Sequence, residues 1–138
     1  MPAFVTRSED ETIELGESLA RELPPGAVVL LVGELGAGKT TLAKGIVKGL
    51  GAAEPEEVLS PTFTLVHEYG EGRVFHIDLY RLDRASEAEA LGLDELMSGD
   101  AVTLVEWGER FPALWPEDHI EIELKARGDE REIELRMG

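Results

Sequence analysis

A short apolar segment followed at once by a glycine-rich loop constrains this chain most. Residues 27–32 read AVVLLV and residues 33–40 read GELGAGKT. A short, wholly apolar and valine-rich run predicts a strand that is buried on both faces. The loop matches G-x-x-x-x-G-K-[ST] at every constrained position, and apolar residues at helical spacing (Leu42, Ile46 and Leu50) predict a helix directly after it. Strand, loop and helix in this order predict a phosphate-binding loop in an α/β sheet.

The loop carries the residue types that a polyphosphate site needs. Glycines let successive backbone N–H groups point at one cluster of oxygens, and the helix behind them adds free N–H donors. Lys39 reaches the β- and γ-phosphates, Thr40 offers a hydroxyl to Mg²⁺, and Thr41 lies near the α-phosphate. An incidental glycine turn is the alternative, and the agreement of motif and context disfavours it. The predicted nucleotide-binding residues are Gly33, Glu34, Leu35, Gly36, Ala37, Gly38, Lys39, Thr40, Thr41 and, beyond the loop, Trp107.

The remaining segments predict one α/β domain over residues 1–138. Ser8 and Glu11 form a capping-box pattern that predicts a helix ending near Glu22. A second helix is expected from Ser86 to Met97, broken near Gly92. Residues 101–106 predict an apolar strand, and four further segments predict two antiparallel hairpins, at residues 63–69 with 73–79 and 119–126 with 131–137. We therefore expect a P-loop NTPase-like domain with a mixed parallel and antiparallel sheet flanked by helices.

Composition narrows the class of partner. The formal net charge is −16, which disfavours broad binding to a nucleic-acid backbone and suits docking on a basic partner. The chain has no cysteine, so disulfides and thiol nucleophiles are excluded. The longest apolar run is too short for a bilayer and the first residues lack a secretory pattern. We expect a cytoplasmic protein with no membrane partner.

A phosphate-binding loop needs a second acidic group, and two candidates end strands. Glu106 ends the segment AVTLVE and Asp78 ends VFHID. Each places a carboxylate at the carboxyl end of a strand, where it can hold Mg²⁺ or orient an attacking water. The catalytic candidates are Lys39, Asp78 and Glu106, and the metal candidates are Thr40, Asp78 and Glu106. A carboxylate that merely caps the next turn is the alternative for each acid.

Several other polar or aromatic residues leave two interpretations open. Ser60 and Thr62 follow the proline-rich loop and resemble a switch that senses γ-phosphate, although a turn fixed by Pro61 explains them equally well. Trp107 could stack on a base or cover phosphates, and ordinary packing is commoner. Three histidines, at positions 67, 76 and 119, stand alone without metal-ligand spacing and are expected to be structural. Two arginines, at positions 81 and 84, are expected to form surface salt bridges.

The nucleotide is expected to be ATP or ADP. No Lys-x-Asp follows an Asn or Thr, so the guanine-reading motif of GTPases is missing. The chain is also short for a kinase with a lid and an acceptor site. A partner-dependent ATPase is therefore favoured, while a small P-loop kinase or a nucleotide-dependent binding module stays open.

Four segments in order resemble the bacterial TsaE family, formerly called YjeE. They read LGAGKTTLAKGI, SPTFTLVHEY, HIDLYRL and VEWGERF. The resemblance covers nearly the whole chain, with the closing hairpin least distinctive, and the combination of segments is far more specific than the glycine loop alone. It implies an ATPase needed to form threonylcarbamoyladenosine next to the tRNA anticodon, acting with TsaD and TsaB and meeting tRNA only through that complex. It also implies roles for Asp78 and Glu106 in Mg²⁺ handling and hydrolysis, and for Trp107 in activity.

Overall fold

The sheet has parallel strands at its centre and antiparallel strands at both edges. A computed structural model describes residues 3–34, 36–58 and 65–137. Its strands are β1 (Ala3–Thr6), β2 (Val28–Val32), β3 (Val66–Tyr69), β4 (Val74–Asp78), β5 (Val102–Glu106), β6 (Ile120–Arg127) and β7 (Glu130–Met137). In this described part they form one seven-stranded sheet in the order β1-β7-β6-β2-β5-β4-β3. Strands β6, β2, β5 and β4 run parallel, and β1, β7 and β3 pair antiparallel to their neighbours. The predicted α/β class with a mixed sheet is confirmed.

The helices follow the sequence signals closely. They are α1 (Glu9–Ala20), α2 (Lys39–Gly49), α3 (Ala85–Glu89) and α4 (Leu93–Leu96), with 3₁₀ turns at Pro55–Glu57, Gly108–Arg110 and Pro112–Leu114. Ser8 caps α1, its hydroxyl accepting the Glu11 N–H at 3.1 Å, while the Glu11 carboxylate accepts the N–H of Arg7 at 3.0 Å. The helix predicted over residues 86–97 is confirmed as two pieces that Gly92 separates. Among the described residues, no helix has the length and apolar character that crossing a bilayer requires.

The prediction missed β1 and misplaced the start of β3. Strand β1 has four residues and pairs with β7, opposite Arg131 at Thr6. A segment this short carries too few residues for a period to be visible. Strand β3 begins at Val66 because Leu65 takes a left-handed backbone with φ of 65°. Residues 63–64, where that strand was predicted to start, lie outside the described residues.

Apolar cores lie on both faces of the sheet. Along β2 the side chains alternate, so Val29 and Leu31 pack with α1 and α2, while Val28 and Leu30 pack with α3, α4 and Trp115. Each such buried side chain contributes roughly 1.5–3 kcal/mol relative to an exposed one. This two-sided burial fixes β2 in the centre of the sheet and holds the loop that follows it.

Two helical glycines set the position of α2. A Cβ at Gly45 would lie 2.1 Å from the carbonyl oxygen of Ile13, and one at Gly16 would lie 2.6 Å from that of Leu42. Helices α1 and α2 therefore touch backbone to backbone, at a separation that no larger residue permits. Because α2 begins at Lys39, this contact also places the glycine loop.

Candidate functional site

A cavity of about 520 Å³ lies at the carboxyl end of the parallel strands. This is the edge at which ligands bind in open α/β sheets. It brings together most of the residues predicted from the sequence, which are Gly36, Gly38, Lys39, Thr40, Thr41, Asp78, Glu106 and Trp107. The cavity is also lined by residues that were not predicted to belong to a site, which are Ser8, Glu9, Thr12, Tyr80, Asp129 and Arg131.

Other predicted residues do not line this cavity. Gly33, Glu34 and Ala37 face a separate groove against β6, and a Cβ at Gly33 would lie 2.6 Å from the Leu124 carbonyl oxygen. The first part of the loop therefore packs on the sheet, and its second part faces the cavity. Leu35, Ser60 and Thr62 lie outside the described residues, so the switch hypothesis stays a prediction.

The start of α2 offers free donors to the cavity. Gly38 precedes the helix with φ of 101°, a conformation that side-chain-bearing residues rarely adopt. No side chain of the described residues caps this helix. The first N–H groups of an uncapped helix, together with its dipole, favour an anion.

Lys39 is a buried cation whose partners are one carbonyl oxygen and one aromatic ring. Only 5% of the residue is exposed, and its Nζ donates to the Gly33 carbonyl oxygen at 2.8 Å. The ammonium also lies 3.5 Å from the centroid of the Trp107 ring, a cation–π contact. Burial lowers the pKa of Lys39, and the nearby carboxylates of Glu106, Glu109 and Asp78 oppose that shift. A cation in this position gains strongly from an anionic ligand.

Two carboxylates face each other beside this lysine. Asp78 and Glu106 are opposite in register at the ends of β4 and β5 and are 6% and 4% exposed. The Thr40 hydroxyl donates to both Glu106 oxygens, at 3.1 and 3.3 Å. Burial raises the pKa of Asp78, and the charge of Glu106 raises it further, although the hydrogen bond from the Tyr80 N–H opposes the shift. Two like charges this close favour a cation between them.

This donor set suits Mg²⁺. Carboxylate and hydroxyl oxygens are hard ligands, and Mg²⁺ in nucleotide sites takes only one or two of them, together with phosphate oxygens and water. Within the described residues no group of three or more His, Asp or Glu side chains forms a metal cluster. The residues therefore fit a metal that arrives with a polyphosphate better than a metal bound by the protein alone.

Trp107 lines the cavity directly after the end of β5. Its φ is 65°, in the left-handed region, and its ring lies 5.0 Å from that of Tyr80. A Cβ on the next residue, Gly108, would lie 2.9 Å from Val105 Cγ1, so the chain turns tightly here. Holding a tryptophan in this backbone region destabilises the fold by on the order of 1 kcal/mol. The surrounding contacts must therefore hold the turn in place.

The prediction that the histidines stand alone is wrong. His119 Nε2 lies 3.1 Å from Glu121 Oε1, and His76 Nε2 lies 2.5 Å from Glu106 Oε2 in the interior. For His76 the signal was its spacing: His76 and Asp78 are two apart on one strand and therefore share a face. The side chain of His67, by contrast, contacts the hydroxyl and the ring of Tyr69.

Arg131 was missed for a different reason. Its guanidinium donates to the carbonyl oxygens of Gly128 and Glu130 at 3.1 and 3.0 Å, which holds it beside Gly38. It lies on the closing hairpin, where charged and apolar residues alternate along the sequence, so a charged residue there carries no sign of a site. The two arginines singled out from the sequence, Arg81 and Arg84, do not line the described cavity.

The fold and this site define an α/β protein with a glycine loop, between a buried strand and a helix, that faces two strand-end carboxylates. The chain belongs to the TsaE family. It matches the family model described as "Threonylcarbamoyl adenosine biosynthesis protein TsaE" over residues 6–133.

Relatives with the same description cover most of the chain. A "tRNA threonylcarbamoyladenosine biosynthesis protein TsaE" of Bacillus subtilis is 43% identical over 93% of this chain and 80% of its own length. The protein of that name from Treponema pallidum is 41% identical over 94% of this chain and 96% of its own. A crystal structure of YdiB from Bacillus subtilis superposes with a TM-score of 0.81 at 36% identity, over 99% of this chain and 86% of that one.

Proposed function

We propose that this chain binds and hydrolyses Mg-ATP in support of threonylcarbamoyladenosine formation on the tRNA adenosine next to the anticodon. One observation carries the chemistry: a buried lysine at a helix N-terminus shares a cavity with two strand-end carboxylates that are opposite in register. Membership of the TsaE family supports the pathway. The geometry of the cavity supports an ATP-dependent step within that pathway.

Phosphate binding replaces contacts that Lys39 now makes within the protein. Its ammonium is held by one carbonyl oxygen and one aromatic face, both weaker partners than a phosphate. The N–H groups at the start of α2 and the Thr41 hydroxyl contact the remaining phosphate oxygens. With the γ-phosphate toward Glu106, Arg131 is a further cation of the cavity, beside Gly38 at the glycine loop.

Hydrolysis uses the two carboxylates. Thr40, Asp78 and Glu106 would hold Mg²⁺, which when bound neutralises charge on the phosphates. Glu106 orients a water and accepts its proton as the water oxygen bonds to the γ-phosphorus. The bond from that phosphorus to the β–γ bridging oxygen breaks, which releases ADP and phosphate.

The charge of the chain suits a protein partner better than tRNA. With a formal net charge of −16, the surface repels a nucleic-acid backbone and complements a basic protein face. We infer that this chain docks on TsaD and TsaB and meets tRNA only through them. Such a complex should weaken as salt rises, because the attraction between exposed charges is screened.

Phosphate release, measured with and without TsaD and TsaB, tests the proposal. The wild type should hydrolyse ATP slowly alone and faster with the partners. Lys39→Ala should lower the rate at least a hundredfold, because it removes the charge that faces the phosphates. Lys48→Ala on the same helix is the matched control, since Lys48 pairs with Glu17 on the surface and does not line the described cavity.

Three outcomes would contradict it. No hydrolysis by the wild type under either condition removes the ATPase. Transfer of the γ-phosphate to an added acceptor, in place of free phosphate, indicates a kinase. If TsaD and TsaB form no complex with this chain and change neither its hydrolysis rate nor its affinity for ATP, the proposed dependence on these partners is wrong.

A further inference from the structure

We propose that His76 is a positioning residue that holds the Glu106 carboxylate in the orientation needed for hydrolysis. This inference rests on the proposed function for its kinetic part. Its structural part, a buried hydrogen bond between two named atoms, stands independently of ATP.

The sheet brings the two residues together. Strands β4 and β5 are parallel, with His76 opposite Leu104 and Asp78 opposite Glu106. His76 and Asp78 share a face of β4, so the ring of His76 reaches diagonally to the carboxylate on the next strand. Nε2 donates to Glu106 Oε2 at 2.5 Å, a short, charge-assisted hydrogen bond.

Burial makes this bond directional and hard to replace. His76 is 0% exposed and Glu106 is 4% exposed, so solvent does not compete for either group. A hydrogen bond to an ionised group in such surroundings is roughly twice as strong as a neutral one. The histidine is itself immobilised by the strand and the packing around it, so it can fix a carboxylate without moving.

The hydrogen bond from His76 makes the two carboxylate oxygens of Glu106 differ in their partners. Oε2 accepts both His76 at 2.5 Å and Thr40 at 3.1 Å. Within the described residues Oε1 accepts only the Thr40 hydroxyl, at 3.3 Å. His76 therefore anchors one oxygen and leaves the other available to the cavity that Glu106 lines.

The other ring nitrogen argues against a role in stability alone. His76 Nδ1 is buried and has no hydrogen-bond partner among the described residues. An unsatisfied buried acceptor is unfavourable, and an apolar residue of similar size would avoid it. A histidine here is better explained by the one bond it does make, to the acid at the strand end.

Three variants separate positioning from packing. His76→Phe keeps the ring and removes the donor, and should lower kcat on Mg-ATP at least tenfold while the Kd for ATP stays within about twofold. His76→Gln, whose amide nitrogen reaches about as far as Nε2, should recover most of that loss. His67→Phe is the matched control, because His67 lies opposite His76 on the neighbouring strand and faces Tyr69. It should leave kcat unchanged.

A double-mutant comparison tests whether His76 affects kcat through Glu106. If His76 acts only by holding that carboxylate, His76→Phe should have little further effect in a Glu106→Gln background. An undiminished effect there would overturn the proposal. Should His76→Phe fail to fold, His76→Asn, whose amide ends short of Glu106, takes its place in both comparisons.

Nuclear magnetic resonance can detect the hydrogen bond between His76 and Glu106 in the absence of ATP. In wild-type chain labelled with ¹⁵N-histidine, the His76 Nε2–H proton should be protected from exchange, and its resonance should shift in Glu106→Gln. A rapidly exchanging or unshifted proton would overturn the inference even if the chain never hydrolysed ATP. Hydrolysis by the wild type with equal kcat in His76→Phe would overturn it while leaving the ATPase proposal intact.

Discussion

The parallel strands carry two unlike regions along their length. In the body of the sheet, as at Ile122 on β6 and Val105 on β5, side chains are apolar and 0% exposed. At the carboxyl rim, which we define as Lys39, Asp78, Glu106 and Trp107, three charged groups are nearly buried and the tryptophan has φ of 65°. Burying charges and a strained backbone is unfavourable, whereas burying apolar surface is favourable.

The difference indicates which region stabilises the fold and which region is the candidate for the proposed chemistry. The body supplies the free energy that folds the chain. The rim holds groups whose mutual repulsion and desolvation a bound cation and phosphate would relieve. Substitutions in the body, apart from His76 with its bond to Glu106, should therefore change unfolding without changing the catalytic rate of the folded protein. Substitutions at the rim should lower that rate without lowering the free energy of unfolding.

Ile122→Ala should show the largest effect on stability. Ile122 lies on β6 opposite Leu31 of β2, and its side chain packs in the core that α1 and α2 cover. Truncation to alanine leaves a cavity there. The free energy of unfolding should fall by about 3 kcal/mol, measured by urea denaturation. At a temperature where the variant is folded, its kcat should stay within about twofold of wild type. A large loss of kcat with unchanged stability would break the comparison.

Thr103→Val should stabilise the chain without touching activity. Thr103 lies in the body of β5, 0% exposed, and its hydroxyl is buried without a partner in the part of the chain that is described. Valine has the same shape and no unsatisfied polar group, so the free energy of unfolding should rise by about 1.5 kcal/mol. Equal stability in the two chains would show that this hydroxyl is satisfied in solution.

Asp78→Asn should also stabilise the chain, by about 1 kcal/mol, but at the expense of hydrolysis. Burial raises the pKa of Asp78 in the folded state, so its ionised form is destabilising at neutral pH. Since that destabilisation is fully present above the folded pKa and is relieved as pH falls through it, the gain from asparagine should shrink in acid. Urea denaturation in the presence of EDTA, at about pH 7 and at about pH 4, checks the sign. A gain that grows in acid would contradict it.

The fold and the glycine loop were predictable because their signals are local. Residues 27–40 contain a buried strand, a glycine loop and a helix start within one short stretch. Asp78 and Glu106 could be singled out because each ends an apolar strand. Their register opposite each other was not visible, since it depends on which strands become neighbours.

The missed features depend on contacts between distant parts of the chain. His76 and Glu106 are 30 residues apart, and the sequence around each residue does not indicate that the two are in contact. Arg131 reaches the cavity only because β7 folds back beside β6 and β1. Strand β1 is held by its pairing with β7, and its four residues are too few to show a period.

Glu106→Gln, with hydrolysis and unfolding measured on the same preparation, tests the central claim most directly. The amide keeps the size of the side chain and its hydrogen bonding with His76 and Thr40, but loses the charge that orients and deprotonates water. We predict that kcat for Mg-ATP falls about a hundredfold while the free energy of unfolding stays equal or rises. A variant that hydrolyses ATP normally but unfolds more easily would contradict the account, because Glu106 would then belong with the body of the sheet.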